Sequence, residues 1–140
     1  MTTTLITFHQ EQQVYQMAFQ GAVAVARWAQ PFLETSEVYL IQQFLATSQA
    51  VCAHLAVAWG QRRHAERFIA ALSNAQLHAA EMQTWIEAAI AAGYLTPDAG
   101  QDLYDHYRRL YTALDQLMAT AATAPNLLEE NAETPLPVTA

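Results

Sequence analysis

Residues 93–100 read GYLTPDAG, a helix stop followed at once by a helix start. Gly93 suits the left-handed position that closes a helix. Thr96 suits the N-cap of the next helix, with Pro97 at its first position and Asp98 in its first turn, where the helix dipole favours negative charge. A link this short joins two antiparallel neighbours. The flanks agree with that reading. Upstream, from about Arg63 to Ala92, Phe68, Ile69, Leu72, Ala75, Ala79, Met82, Ile86 and Ala89 recur at helical spacing. Downstream, Leu103, Tyr107, Leu110, Leu114 and Leu117 mark a stripe that fades near Ala121.

The same punctuation divides the rest of the chain, which holds only four glycines and five prolines. Ser36 reads as an N-cap with Glu37 in the first turn, opening a helix that runs to about Trp59, with Gly60 placed as its cap. Its core stripe is Leu40, Ile41, Phe44, Leu45, Ser48, Val51, Cys52, Leu55 and Trp59; the opposite side, Ala46, Ala50, Ala53 and Val57, is hardly polar. A helix apolar nearly all round is buried on more than one side. An earlier helix over about 10–29 carries Val14, Met17, Ala18, Gly21, Val25 and Trp28, with Pro31 expected to end it. No strand signal interrupts the pattern. The fold class is all-α, an antiparallel up-down four-helix bundle over residues 10–122. A polar segment, 1–9, precedes it, and an acidic tail, 123–140, with no apolar period is expected to be disordered.

At 140 residues the chain has room for one core. Its charged fraction is 14%, well under the roughly 25% of ordinary soluble domains, beside a hydrophobic fraction of 53%. So little polar surface points to burial against further copies. The net charge of −7 and pI near 5.0 lack the general basic footprint of a nucleic-acid binder. A lone cysteine, Cys52, excludes an internal disulfide and a thiolate zinc site, and in its apolar run it reads as a buried thiol. The start, MTTTLITFHQEQQ, has no basic region and no long apolar run, and polar residues interrupt every span of about 18 residues. A cytoplasmic protein without a membrane partner is expected.

Catalytic chemistry finds little support. A di-iron bundle needs Glu-x-x-His pairs on separate helices. The chain offers only the reversed His78-x-x-Glu81, with His54 and His106 as further conceivable ligands, and these read as hydrogen-bonded packing residues. Cys52 and His54, two apart on a helix, point to different sides. Ser48 can satisfy its hydroxyl on the carbonyl one turn back. No glycine-rich phosphate cradle is present. No enzyme activity, cofactor or metal is expected.

With four helices placed, the region from about Val14 to Leu117 resembles the small bacterial four-helix bundle proteins first noticed as products of ribosomal-RNA intervening sequences. The accessory variability determinant of diversity-generating retroelements is a relative of theirs. The family's second helix ends in a pattern like Ser-Ile-x-x-Asn-Ile-Ala-Glu-Gly followed by glycine and arginine. In AVCAHLAVAWGQRR, Ala56, Gly60, Arg62 and Arg63 fit that frame, while His54 and Val57 stand where the family has asparagine and glutamate. The third helix keeps Ala75, Glu81 and Thr84 in AQLHAAEMQTWI and Gly93, Tyr94 and Leu95 in AGYL, with Leu77 and His78 replacing a Gly-Ser pair. The chain is identified as a divergent member. The resemblance implies a ring-forming homo-oligomer, typically a pentamer, without enzyme activity. In the retroelement relative the ring binds a reverse transcriptase and structured RNA through basic surface residues.

All six basic residues are arginine, and Arg62, Arg63 and Arg67 crowd the corner between the second and third helices. They can cap the second helix, pair with Glu66, or meet a partner. They are the candidate partner contacts, with Arg108 and Arg109 as a second basic band. Leu40, Phe44, Leu45, Val51, Leu55, Phe68, Leu72, Met82, Ile86, Leu110 and Leu114 are the expected core. Ala46, Ala50, Ala53, Val57 and Trp85 are the candidate subunit interface, and Trp28 and Trp59 the packed tryptophans. The expected role is a homo-oligomeric adaptor for a protein partner. An RNA-binding accessory protein of a reverse transcriptase is the rival, disfavoured by the acidic balance; a metal-binding bundle is the weaker one.

Overall fold

A computed structural model describes residues 2–35 and 38–123, with side chains over 9–34 and 38–123. Four helices follow one another: α1 (Thr2–Thr35), α2 (Tyr39–Gly60), α3 (Ala65–Ala91) and α4 (Pro97–Thr123). α1 packs on α2 and α4, and α3 packs on the same two, so the helices stand at the corners of a square. Side-chain contacts fix the directions. Arg62, just past the end of α2, meets Glu11 near the start of α1, and Trp28 near the end of α1 reaches Tyr94 just ahead of α4. This is the antiparallel up-down bundle.

The stop–start signal at 93–100 forms as the residue types dictate. Gly93 sits at φ +82°, its N–H donates to the carbonyl of Ile90 (3.1 Å) and that of Tyr94 to Ala89 (2.9 Å). These paired bonds are the Schellman closure of α3. Thr96 Oγ1 then accepts the N–H of Ala99 (3.3 Å), capping α4 with Pro97 at its first position. Gly100 brings α4 hard against Ile90, whose side chain occupies the space a Cβ would need.

Other boundaries differ from expectation. α1 does not stop at residue 29 but passes through Pro31 to Thr35, and it begins at Thr2, inside the segment expected to be a polar lead. Pro31 lies so near the end that its missing N–H removes only the bond to the Arg27 carbonyl, which a last turn tolerates. Ser36 and Glu37, the expected cap of α2, lie outside the described residues; Val38 precedes the helix there without a side-chain cap. Gly60 is helical rather than a left-handed cap, and Gln61 closes α2 by donating to the Ala58 carbonyl (3.0 Å). α3 starts at Ala65 behind His64, two residues later than expected, and α4 continues to Thr123 rather than fading near Ala121. The expected disordered tail lies outside the described residues from 124 onward.

The core follows the stripes. Phe44, Val51, Leu55, Phe68, Leu72, Met82, Ile86, Leu110 and Leu114 are buried, and Leu40 and Leu45 are half-buried at its margin. Buried alanines, among them Ala18, Ala58, Ala75, Ala79 and Ala89, let the helix axes approach closely. Each fully buried Leu, Ile, Met or Phe contributes about 1.5–3 kcal/mol through removal from water.

Candidate functional site

The corner between α2 and α3 separates its arginines. Arg62 is 1% exposed, and Glu11 2%. Its Nη2 donates to Glu11 Oε2 at 2.6 Å and its Nε to Oε1 at 3.2 Å, a bidentate fork between the start of α1 and the corner. Its guanidinium carbon lies 4.2 Å from the ring centre of Trp59. Arg62 is therefore no surface contact and does not pair with Glu66; it is an internal tie, and its Nη1 is buried with no partner. Burial pushes the Glu11 carboxyl above the usual carboxylate range, with the Arg62 contacts pulling the other way. Arg63 and Arg67 remain at the surface, as do Arg108 and Arg109.

Sequence reasoning missed Glu11. The signal was its register: Glu11 stands on the same stripe as Val14, Ala18 and Val25, where a carboxylate needs a buried partner.

The three histidines considered as ligands sort into two places. His54 of α2 and His78 of α3 stack with ring centres 4.9 Å apart and planes 16° from parallel, and His78 Nδ1 lies 3.4 Å from Glu81 Oε2. Stacked rings send their in-plane lone pairs side by side rather than to one point. Among the described residues no group of three or more ligating side chains is placed to hold a metal ion. His106 lies on the opposite side of the bundle, donating from Nε2 to the Met17 carbonyl at 2.6 Å.

The tryptophans are engaged within the chain. Trp28 Nε1 donates to the Tyr94 carbonyl (3.0 Å) and its ring tilts against Phe44 and Phe32. Trp85 is half-buried and its Nε1 donates to Thr47 Oγ1 (3.0 Å), tying α3 to α2. Cys52 is half-buried and burial pushes its thiol up. Ser48 donates to the Leu45 carbonyl (2.7 Å), three residues back.

The outer side of α2 is uncharged, with Gln42 and Gln49 exposed beside its alanines. The helix contains no Asp, Glu, Lys or Arg. Ala46, Ala53 and Val57 are exposed along it, Val57 at 54%, with Tyr39 at 70% in line and Ala50 half-buried beside them. α2 is also the described helix long and apolar enough to cross a membrane; in the bundle its Ile41, Phe44, Val51 and Leu55 side packs on its neighbours. On the far side, α1 and α4 part to leave a groove of about 670 Å³ flanked by Met17, Ala113, Arg108 and Arg109.

The profile of the 23S rRNA-intervening sequence protein family matches residues 10–116, from the Glu11 region through most of α4. The chain belongs to that family. A crystal structure of a protein of unknown function from the S23 ribosomal protein family of Bacteroides thetaiotaomicron is similar in fold. The TM-score is 0.72 at 20% identity, over 79% of this chain and 98% of that one. No curated protein matches the chain. In this member of the 23S rRNA-intervening sequence protein family, the two adjacent arginines of the corner part company: Arg62 is buried inside the molecule and Arg63 is exposed.

Proposed function

We propose that this member of the family is a non-enzymatic homo-oligomer, a pentamer by family resemblance, that serves as an adaptor for a macromolecular partner. The observation that carries the reading is the uncharged outer side of α2. A stripe of Ala46, Ala53 and Val57 with Ala50 and Tyr39 is poorly suited to water and well suited to a second copy. Trp85 borders it through Thr47, so the proposed subunit contact is Ala46, Ala50, Ala53, Val57 and Trp85. Arg63 and Arg67 stay as the proposed contacts for a protein partner, without Arg62. The test is the native mass by light scattering after size exclusion: about five chains supports the reading, and a species of 15.5 kDa overturns it.

A second reading, RNA binding, is favoured by one observation: Arg27, Arg63, Arg67, Arg108 and Arg109 are all exposed, so a ring repeats each of them in every subunit. It expects absorbance at 260 nm with the eluting ring and binding that falls steeply with salt. Clean protein spectra and no retention of RNA at low salt decide against it.

A further inference from the structure

The stacked histidines stand among the residues of the proposed subunit contact. On α2, Ala50, His54 and Val57 follow one another about one turn apart, on one side of the helix. On α3, His78 and Trp85 stand about two turns apart on the side that meets α2, His78 against His54 and Trp85 bonded to Thr47. Both imidazoles are half-buried in the single chain, the His78 side chain at 30% exposure. A second copy seated on Ala50, Val57 and Trp85 would cover what remains of them.

Little is at hand there to answer a positive charge. α2 holds no Asp, Glu, Lys or Arg. Its other titratable side chains are Tyr39, at the start of the helix, and Cys52, two positions from His54 and so on a different side. On α3, Glu81 is the carboxylate beside the pair, its Oε2 3.4 Å from His78 Nδ1 and its side chain 52% exposed. Arg67 lies about three turns back on the same side, and Glu66 and Glu87 fall on other sides by their spacing. α1 and α4 pack on the other flanks of these two helices and give the pair no ion pair among the described residues.

Neutral, the two rings meet as flat surfaces. A single proton on His78 can be met by Glu81. A second proton sets two like charges on rings whose centres are 4.9 Å apart, with one carboxylate between them. In the single chain the charged rings can turn outward into water without disturbing the core. Under a second copy they would be charged and cut off from water, which disfavours the protonated form. The free subunit therefore binds more protons than the assembled one, and falling pH favours the free subunit.

We propose that His54 and His78 form a pH-sensitive release of the subunit contact, closed while both rings are neutral and opened when both are charged. The inference rests on the adaptor reading for where that contact lies, and adds how it is controlled.

The experiment is light scattering after size exclusion of the full chain at about pH 7.5 and about pH 5.5, which bracket the charge change of an ordinary imidazole. The parent should be assembled at the higher value and fall to single chains at the lower, the concentration for half-assembly rising at least ~10-fold. His54→Gln/His78→Gln and His54→Phe/His78→Phe cannot take up these protons, so both should stay assembled at both values. Circular dichroism should show the same helical signal throughout. A parent assembled equally at both values overturns the inference and leaves the adaptor reading standing. Dissociation of both double variants alongside the parent overturns it too, by assigning the effect to other groups. So does loss of helix at the lower value, or failure of both variants to assemble at the higher. A parent that is a single chain at the higher value overturns the adaptor reading, and this inference with it.

Discussion

Arg62 holds Glu11 in a two-bond fork across 51 residues of chain, with both side chains out of water. Such a pair ties helices together at a desolvation cost comparable to what it returns, yet losing one partner leaves a bare buried charge. Arg62→Ala and Glu11→Ala should each destabilise the bundle by on the order of 3–5 kcal/mol in urea denaturation. Glu11→Leu combined with Arg62→Met should cost far less than the sum. Additive losses would mean that the two residues act separately.

The pH dependence of that pair has a definite sign. Burial raises the folded pKa of Glu11 above its unfolded value near 4.5. Between those two values the folded state binds more protons than the unfolded one, so this group's contribution to stability falls as pH rises through that window. Measured against Glu11→Gln, whose site does not titrate, the parent should lose relative melting temperature as pH climbs above 4.5. A relative gain over the same range would show that Arg62 outweighs burial.

Tyr107 presents the opposite case, a buried hydroxyl with no hydrogen-bond partner, in a ring that lies over Gly21. Tyr107→Phe should be neutral or stabilising by up to about 1–2 kcal/mol, because it removes a polar atom that folding strips of water. Gly21→Ala should be destabilising by about 1–3 kcal/mol, since its Cβ would fall 2.7 Å from that hydroxyl and 2.8 Å from the ring carbon bearing it. Combined with Tyr107→Phe, part of the loss should return in a double-mutant cycle.

Gly93 is the one described residue at positive φ. Gly93→Ala should lower stability by about 1 kcal/mol through strain at that position. The change is local, so the far-UV spectrum should keep its helical intensity while the melting temperature falls.

Val57→Glu places a charge at the C-terminal end of the bare side of α2, at a position 54% exposed. Folded stability should fall by no more than about 1 kcal/mol, the cost of a carboxylate in the last turn of a helix. With the proposed α2 subunit contact, the native mass should nevertheless drop to that of a single chain. An unchanged mass moves the subunit contact elsewhere.

Much of this was legible wherever the governing physics is local. GYLTPDAG stated its own closure and cap because glycine, threonine and proline each have a backbone reason to stand where they do. The α3 and α4 stripes fell on the core because spacing alone orients them. Pro31 misled because the same residue that breaks a helix interior is tolerated in a last turn, and composition does not reveal which turn is last. Gly60 misled similarly: a glycine at the end of a stripe need not adopt positive φ. Arg62 was unreadable from its neighbours, since Glu66 offered a nearby partner while the actual one stood at Glu11. The clue was at the other end, in a carboxylate riding on an apolar stripe.

That carboxylate also matters during synthesis. As the chain is made, the first helix is complete well before Arg62 exists. Until then, its sticky edge of Val14, Ala18 and Val25 begins with an uncompensated negative charge. Glu11 and the corner after the second helix must go inside together, because burying either side chain alone would leave a bare charge in the bundle.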